Sequence, residues 1–150
     1  MQFSDVVNIG APRERVWTVL MDPYTIGPCV PGLTDVEVYD GGTSFGGQAS
    51  IRMGSTALTF PTRVTWVEQN APQGGRLLAS AVLAGYEIEG RGNIVLAEGE
   101  TGETALAWDA AVIMPAKLAE NPIMVQMVRM FATRFIEGFF QCVQARLETV

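Results

Sequence analysis

The sequence predicts an α+β fold: a seven-stranded antiparallel sheet, two short helices after the first strand, and one long C-terminal helix. Three observations predict it. Apolar residues between Thr34 and Met114 recur with period two, between short turn signals. Those after Pro115 recur with helical spacing. Helix start and stop signals separate the first strand from the others.

Phe3 to Ile9 alternates loosely and reads as the first strand. Pro12 suits the first position of a helix, and Val16, Trp17 and Leu20 carry the helical spacing to Met21. Asp22-Pro23 stops it, because a residue before proline avoids helical angles. Tyr24 to Cys29 fits one more helical turn, closed by Pro31-Gly32. Val36 and Val38 then begin a strand that turns at Asp40-Gly41-Gly42.

Phe45, Gly47, Ala49, Ile51 and Met53 share one face of the next strand, which turns at Gly54-Ser55. Phe60, Thr62, Val64 and Trp66 share a face of the one after. Asn70 to Gly75 reads as a loop, and Leu77 to Ala84 as a nearly all-apolar strand. Tyr86, Ile88, Gly90, Gly92, Ile94 and Leu96 then lie opposite Glu87, Glu89, Arg91 and Asn93, a clear inside and outside. In this strand Gly90-Arg91-Gly92 predicts a bend or bulge. Leu106, Trp108, Ala110, Val112 and Met114 share a face of the last strand. Asn121-Pro122 is a cap and first-position pair that either starts the long helix or restarts one begun near Lys117. Met124, Val128, Phe131, Phe135, Phe139 and Cys142 form its apolar stripe. To Glu148 it would run roughly 40 Å, enough to cross a domain. No repeat or linker interrupts residues 1–150, which read as a single domain.

Composition narrows the function. Hydrophobic residues make up 48% and charged residues 17% of the 150, where about 25% charged is usual. Apolar surface beyond what a core needs belongs in a cavity or an interface. The net charge is −6 with no basic cluster, so nucleic acid is not an expected partner. Stable binding to anionic lipid is not expected either, which leaves transient membrane contact through an apolar portal. No leader and no membrane-spanning run is readable, and Cys29 and Cys142 are too few and too distant to suggest a framework. The expectation is a cytoplasmic protein with two reduced thiols.

Chemistry is sparse. The chain has no histidine, which removes the commonest general base and histidine metal ligands. Two isolated cysteines do not make a zinc site, and Gly41-Gly42 and Gly46-Gly47 lack the helix and lysine of a phosphate loop. Glu87 and Glu89 read as solvated charges, because paired carboxylates need burial to split their pKa values. Asp109 and Arg63 also point outward by parity. No catalytic residue, metal or cofactor is expected, and the chain reads as a binding protein and not an enzyme.

The expected site is a cavity between sheet and long helix. Phe60, Val64, Trp66, Tyr86, Ile88, Trp108, Met124, Met127, Phe131 and Phe135 are its candidate wall. Each is also a good core residue. Small residues at concave positions shift the balance: Gly47, Ala49, Ala79, Ala81, Gly90, Gly92 and Ala110 leave volume unfilled, and close-packed interiors rarely do so without an occupant. Methionines adapt to differently shaped ligands. Tyr86 is the polar handle for a head group, or an ordinary core aromatic. The segment Pro23 to Leu33, with Pro28, Pro31 and Gly32, is the candidate gate.

Ala11-Pro12-Arg13-Glu14-Arg15-Val16-Trp17, then Leu20, Asp22-Pro23 and Pro31-Gly32, resemble the opening of the SRPBCC superfamily of START and pollen-allergen-like proteins. Ile51-Arg52-Met53-Gly54, Phe60, Val64, Gly90-Arg91-Gly92 to Leu96, Gly102-Glu103-Thr104-Ala105-Leu106 and Lys117-Leu118-Ala119 resemble its branch named for the G-subunit of carbon monoxide dehydrogenase. The resemblance implies a helix-grip fold, a sheet curved around the C-terminal helix over a hydrophobic cavity. It implies a role beside a molybdenum hydroxylase, as a carrier of quinone or lipid or as an assembly and membrane-recruitment module. Some superfamily members are cyclases or dehydratases. Position 33 is Leu where the branch often has Cys, and the chain stops at Val150 where many continue into a membrane-associating tail. Permanent anchoring is therefore not expected.

Overall fold

The computed structural model of the chain describes residues 1–53, 55–83 and 85–148, with the side chains of all but 51, 53 and 56. The expected turn at Gly54, the strand end at Ala84 and the facing of Ile51 and Met53 lie outside the described residues.

The first strand, β1 (Gln2–Ile9), ends where Gly10-Ala11-Pro12 turns the chain into helix α1 (Arg13–Leu20). Pro12 precedes the helix in extended conformation, one place earlier than expected. Asp22 then caps α2 (Pro23–Ile26): its Oδ1 accepts from the Tyr24 N–H at 3.0 Å. A 3₁₀ turn, Gly27–Cys29, follows. Strands β2 (Thr34–Tyr39), β3 (Ser44–Met53), β4 (Thr56–Asn70), β5 (Gly74–Leu83), β6 (Tyr86–Glu98) and β7 (Thr104–Ile113) complete the sheet. Its order is β1-β7-β6-β5-β4-β3-β2, and every neighbouring pair is antiparallel. Because β1 pairs with the last strand, the α1–α2 segment carries the chain from one sheet edge to the other.

Of the two arrangements open for the C-terminal region, the chain adopts two helices. α3 (Ala116–Ala119) is a single turn, and α4 (Pro122–Glu148) starts afresh. The Asn121 Oδ1 accepts from the Ile123 and Met124 N–H groups at 3.0 and 3.3 Å, which satisfies two donors that a helix start leaves free. The fold is the expected α+β arrangement, with a seven-stranded antiparallel sheet curved against one long helix.

Of the bend or bulge expected at Gly90-Arg91-Gly92, the bulge is excluded, since the pairings of Gly90 and Gly92 with β5 and β7 run unbroken. The register shifts fall instead in β4, between Trp66 and Glu68, and in β2, between Thr34 and Glu37. Contrary to expectation, the two thiols are not reduced. Cys29 and Cys142 form a disulfide with their Cα atoms 5.3 Å apart. They lie 113 residues apart, and only the return of α4 over the segment after α2 brings them together.

The core concentrates at one end. Ile9, Val16, Leu20, Leu106, Val143 and Leu147 are no more than 1% exposed there. Thr104 is buried among them, and its Oγ1 donates to the Ala11 carbonyl at 2.7 Å. The last turn of α4 is pinned to the same end: Glu148 accepts from the Gly10 N–H and Gln144 donates to the Asn8 carbonyl, both at 2.9 Å.

Candidate functional site

Beyond that core the sheet and α4 diverge around a cavity of about 270 Å³. Sequence parity explains its wall. Alternate positions of β4 (Phe60, Thr62, Val64, Trp66) face α4, and their cross-strand partners on β5 include Ala79 and Ala81. Ala79 in turn faces Gly90, and Leu77 faces Gly92. The small residues form a shallow floor across the middle strands. A Cβ built on Gly90 or Gly92 would come no nearer than 3.7 or 3.6 Å to other atoms, so these glycines relieve no clash; they leave space. Val128, Phe131, Phe135, Ile136, Phe139 and Phe140 of α4 close the cavity from above.

Seven of the ten candidate wall residues line it: Phe60, Val64, Trp66, Ile88, Trp108, Phe131 and Phe135. Tyr86, Met124 and Met127 do not. Tyr86 has the inner parity but pairs with Leu83 at the hairpin tip, past the end of the cavity. Met124 and Met127 occupy the first turns of α4, where Val128 is the first residue to reach the wall. Of the small residues, Gly47 and Ala49 do not line the cavity, whereas Ala79, Ala81, Gly90, Gly92 and Ala110 are in the wall.

The expected gate is rearranged. Pro28 is exposed, Gly32 is exposed at the turn before β2, Pro31 sits over Gly138 of α4, and none of the three lines the cavity. Their neighbours Ile26 and Val30 do. The disulfide ties the segment of the candidate gate to α4. Sequence reasoning missed Ile26, Val30, Ile136 and Phe140. Phe140 is off the six-residue stripe, but the Phe139-Phe140 pair signals an apolar arc wider than one stripe.

The polar groups near the wall are mostly spent. Thr62 donates to the Ser80 carbonyl at 3.0 Å. Arg91 reaches Glu89 at 3.2 Å and Asn93 reaches Asp109 at 2.8 Å, on the outer face. The Trp108 Nε1, by contrast, is buried with no hydrogen-bond partner among the described residues. Among the described residues two groups have shifted pKa values, and neither lines the cavity. Tyr39 is raised, chiefly because its hydroxyl donates to Glu37; Glu103 is lowered, chiefly by the Thr101 hydroxyl. No cluster of three or more potential metal ligands occurs among the described residues. No helix among them is long and apolar enough to cross a membrane.

Solved structures share this architecture. A conserved protein of Geobacillus kaustophilus superposes with a TM-score of 0.84 at 19% identity, covering 98% of this chain and 95% of its own. A protein of Chromobacterium violaceum gives 0.73 at 17% identity, over 99% and 98% of the two chains. The Zhui aromatase/cyclase of Streptomyces sp. R1128 gives 0.70 at 15% identity, over 99% and 93%. The last corrects the expectation that the chain is not an enzyme. The same fold serves an aromatase/cyclase, so the fold itself does not exclude catalysis. No curated protein matches the sequence. One family matches residues 6–148, from the first strand to the last turn of the helix that roofs the cavity, and the chain belongs to it: CoxG, the family of the carbon monoxide dehydrogenase G-subunit.

Proposed function

We propose that the chain holds an apolar small molecule, quinone- or lipid-like, in the cavity between sheet and α4, and serves as a carrier or accessory protein of a molybdenum hydroxylase such as a carbon monoxide dehydrogenase. The observation that carries the reading is a cavity of about 270 Å³ with an almost wholly apolar wall, floored by glycine and alanine. An engineered apolar cavity of about 150 Å³ stays dry and takes benzene, so this one has room for a two-ring head or the start of a chain. Burying one five-carbon isoprene unit would contribute about 3–4 kcal/mol, two to three decades of affinity. The partner enzyme rests on the family name alone.

Native mass spectrometry and organic extraction of the purified protein test the reading. A copurifying apolar molecule is expected, as is micromolar binding of quinones or fatty acids to the stripped protein. An empty protein that binds neither defeats it. A cytoplasmic setting fits the reading only if the Cys29–Cys142 bridge forms there, since cytosolic thiols are usually kept reduced.

A second reading, a membrane-recruitment module, is favoured by one observation. Ile123 is 72% and Met130 55% exposed on the outer side of α4, and Arg129 and Arg134 lie on the same stretch. Sedimentation with anionic vesicles that is lost in Ile123→Ser/Met130→Ser supports it; equal sedimentation of both proteins removes it.

A further inference from the structure

We propose that the indole N–H of Trp108 is the cavity's recognition donor, and that it selects a neutral ligand carrying a carbonyl-type oxygen within its apolar body. The inference rests on the ligand-binding reading above and adds the chemistry that the ligand must present.

Trp108 stands on β7 with Ile94 opposite it on β6 and Asp5 opposite it on β1. Its ring lines the cavity and stacks on Phe140 of α4, with centroids 5.3 Å apart and planes 15° apart. Stacking fixes the plane of the indole and leaves its N–H as the group that still needs a partner. The Nε1 is buried and has no acceptor among the described residues. Native proteins leave few buried donors in that condition, because the group has lost its water and gained nothing in exchange. Asp5 does not serve it, since its Oδ1 accepts from the Val6 N–H at 2.8 Å and its side chain is exposed. Bulk water does not serve it either, because the nitrogen has no solvent access. An acceptor delivered on a ligand does. Reaching the buried indole edge would take a rearrangement of the side chains around it.

The other polar groups of the wall do not compete. The Thr62 hydroxyl is committed to Ser80, and Arg91 and Asn93 are paired on the outer face. Trp66 also lines the cavity, but its ring lies against Trp17, 5.8 Å away, toward the packed end. The charge of the ligand follows from the same wall, in which, among the described residues, the one cationic residue, Arg91, is turned outward to Glu89. A carboxylate would lose its hydration with no counter-charge, whereas a ketone needs a single donor. The expected preference runs neutral carbonyl, then hydrocarbon, then fatty-acid anion.

The test uses 1-tetralone and tetralin, which share a two-ring skeleton and differ by one carbonyl. Titration of wild type and Trp108→Phe with both gives four dissociation constants. The substitution keeps an aromatic ring on Phe140 and removes the donor. The tetralone-to-tetralin affinity ratio is expected to fall roughly fivefold in the variant, the usual scale for one neutral hydrogen bond. Indole N–H spectra of the wild type provide the second readout and do not depend on the variant folding. Only the Trp108 resonance should move downfield, and only with tetralone; Trp17 and Trp66 are internal controls. If both ligands bind, the Trp108 resonance stays put and the ratio is unchanged, the donor assignment is wrong and the binding cavity stands. A shift at Trp66 instead overturns it equally. If neither ligand binds, the ligand-binding reading falls and this inference falls with it.

Discussion

The two halves of α4 are built to different standards. The C-terminal half belongs to a packed end: Val143 and Leu147 are at most 1% exposed, Cys142 is covalently tied to Cys29, and Glu148 and Gln144 are bonded to Gly10 and Asn8. The N-terminal half covers a cavity. Val128 is its buried residue, Phe131 and Phe135 are half-buried over open space, and Ile123 and Met130 face solvent. One helix is thus an anchor at one end and a roof at the other. Stability resides where the packing is dense, and the under-packed half is left free to accommodate.

The disulfide should mark the difference most strongly. It closes a separation of 113 residues, and chain entropy alone assigns such a loop about 4–5 kcal/mol. Urea unfolding of wild type with and without dithiothreitol, beside Cys29→Ser/Cys142→Ser, measures it. Reduction and double substitution should lower the midpoint alike. An unchanged midpoint would mean that the packed end holds without its clasp. Truncations come next. Leu147→Ala should cost about 3 kcal/mol, because the site is sealed and cannot collapse. Phe131→Ala should cost about 1 kcal/mol, since much of its ring already faces the cavity. Equal losses at the two positions would erase the distinction between anchor and roof.

The packed end was also the harder half to foresee. Element order was legible because each strand carries its own period-two pattern, Asp22-Pro23 stops the first helix and Asn121 caps the last. The cavity floor was legible because Ala79, Ala81, Gly90 and Gly92 break an otherwise bulky inner face. The disulfide was not. Nothing local distinguishes Cys29 or Cys142 from a reduced core thiol; only the path of α4 over the 27–29 turn decides it. Tyr86 misled for a related reason. Parity gives the side of a sheet but not the distance along a strand at which the helix stops covering it. Trp108 was expected in the wall, but its unpaired nitrogen becomes visible only when every neighbour has been placed.

Filling the cavity separates its two roles. Gly90→Val adds a side chain over the floor, where the nearest atom to a Cβ is that of Ala79 at 3.7 Å. Replacing glycine within a strand reduces the entropy lost on folding and should stabilise by about 0.5–1 kcal/mol. Ligand affinity should fall at least tenfold, as the volume is taken. A variant both more stable and at least tenfold weaker for tetralin is the expected outcome. A destabilised variant would show that the floor is close-packed after all.

The smallest effect should appear at the turn beside the anchor. Glu103 follows Gly102 between β6 and β7, next to buried Thr104, and its carboxylate accepts from the Thr101 hydroxyl and from the Thr101 N–H at 3.1 Å. These bonds favour the charged form and hold its pKa below the ordinary value of 4.5. A carboxyl with a lowered folded-state pKa contributes stability above its unfolded value, and that contribution disappears as pH falls through the folded one. Wild type should therefore exceed Glu103→Gln in unfolding midpoint at pH 7, with the gap closing below about pH 4. The gap should be small, because the turn is solvated and water screens the bonds. The roof has no such group: the side chains of α4 that line the cavity are all apolar. Tetralin affinity should hence stay flat across the pH range in which the anchor weakens. If affinity fell in step with the loss at Glu103, the two halves of the helix would have to be energetically coupled, and the packed end would be part of the binding site.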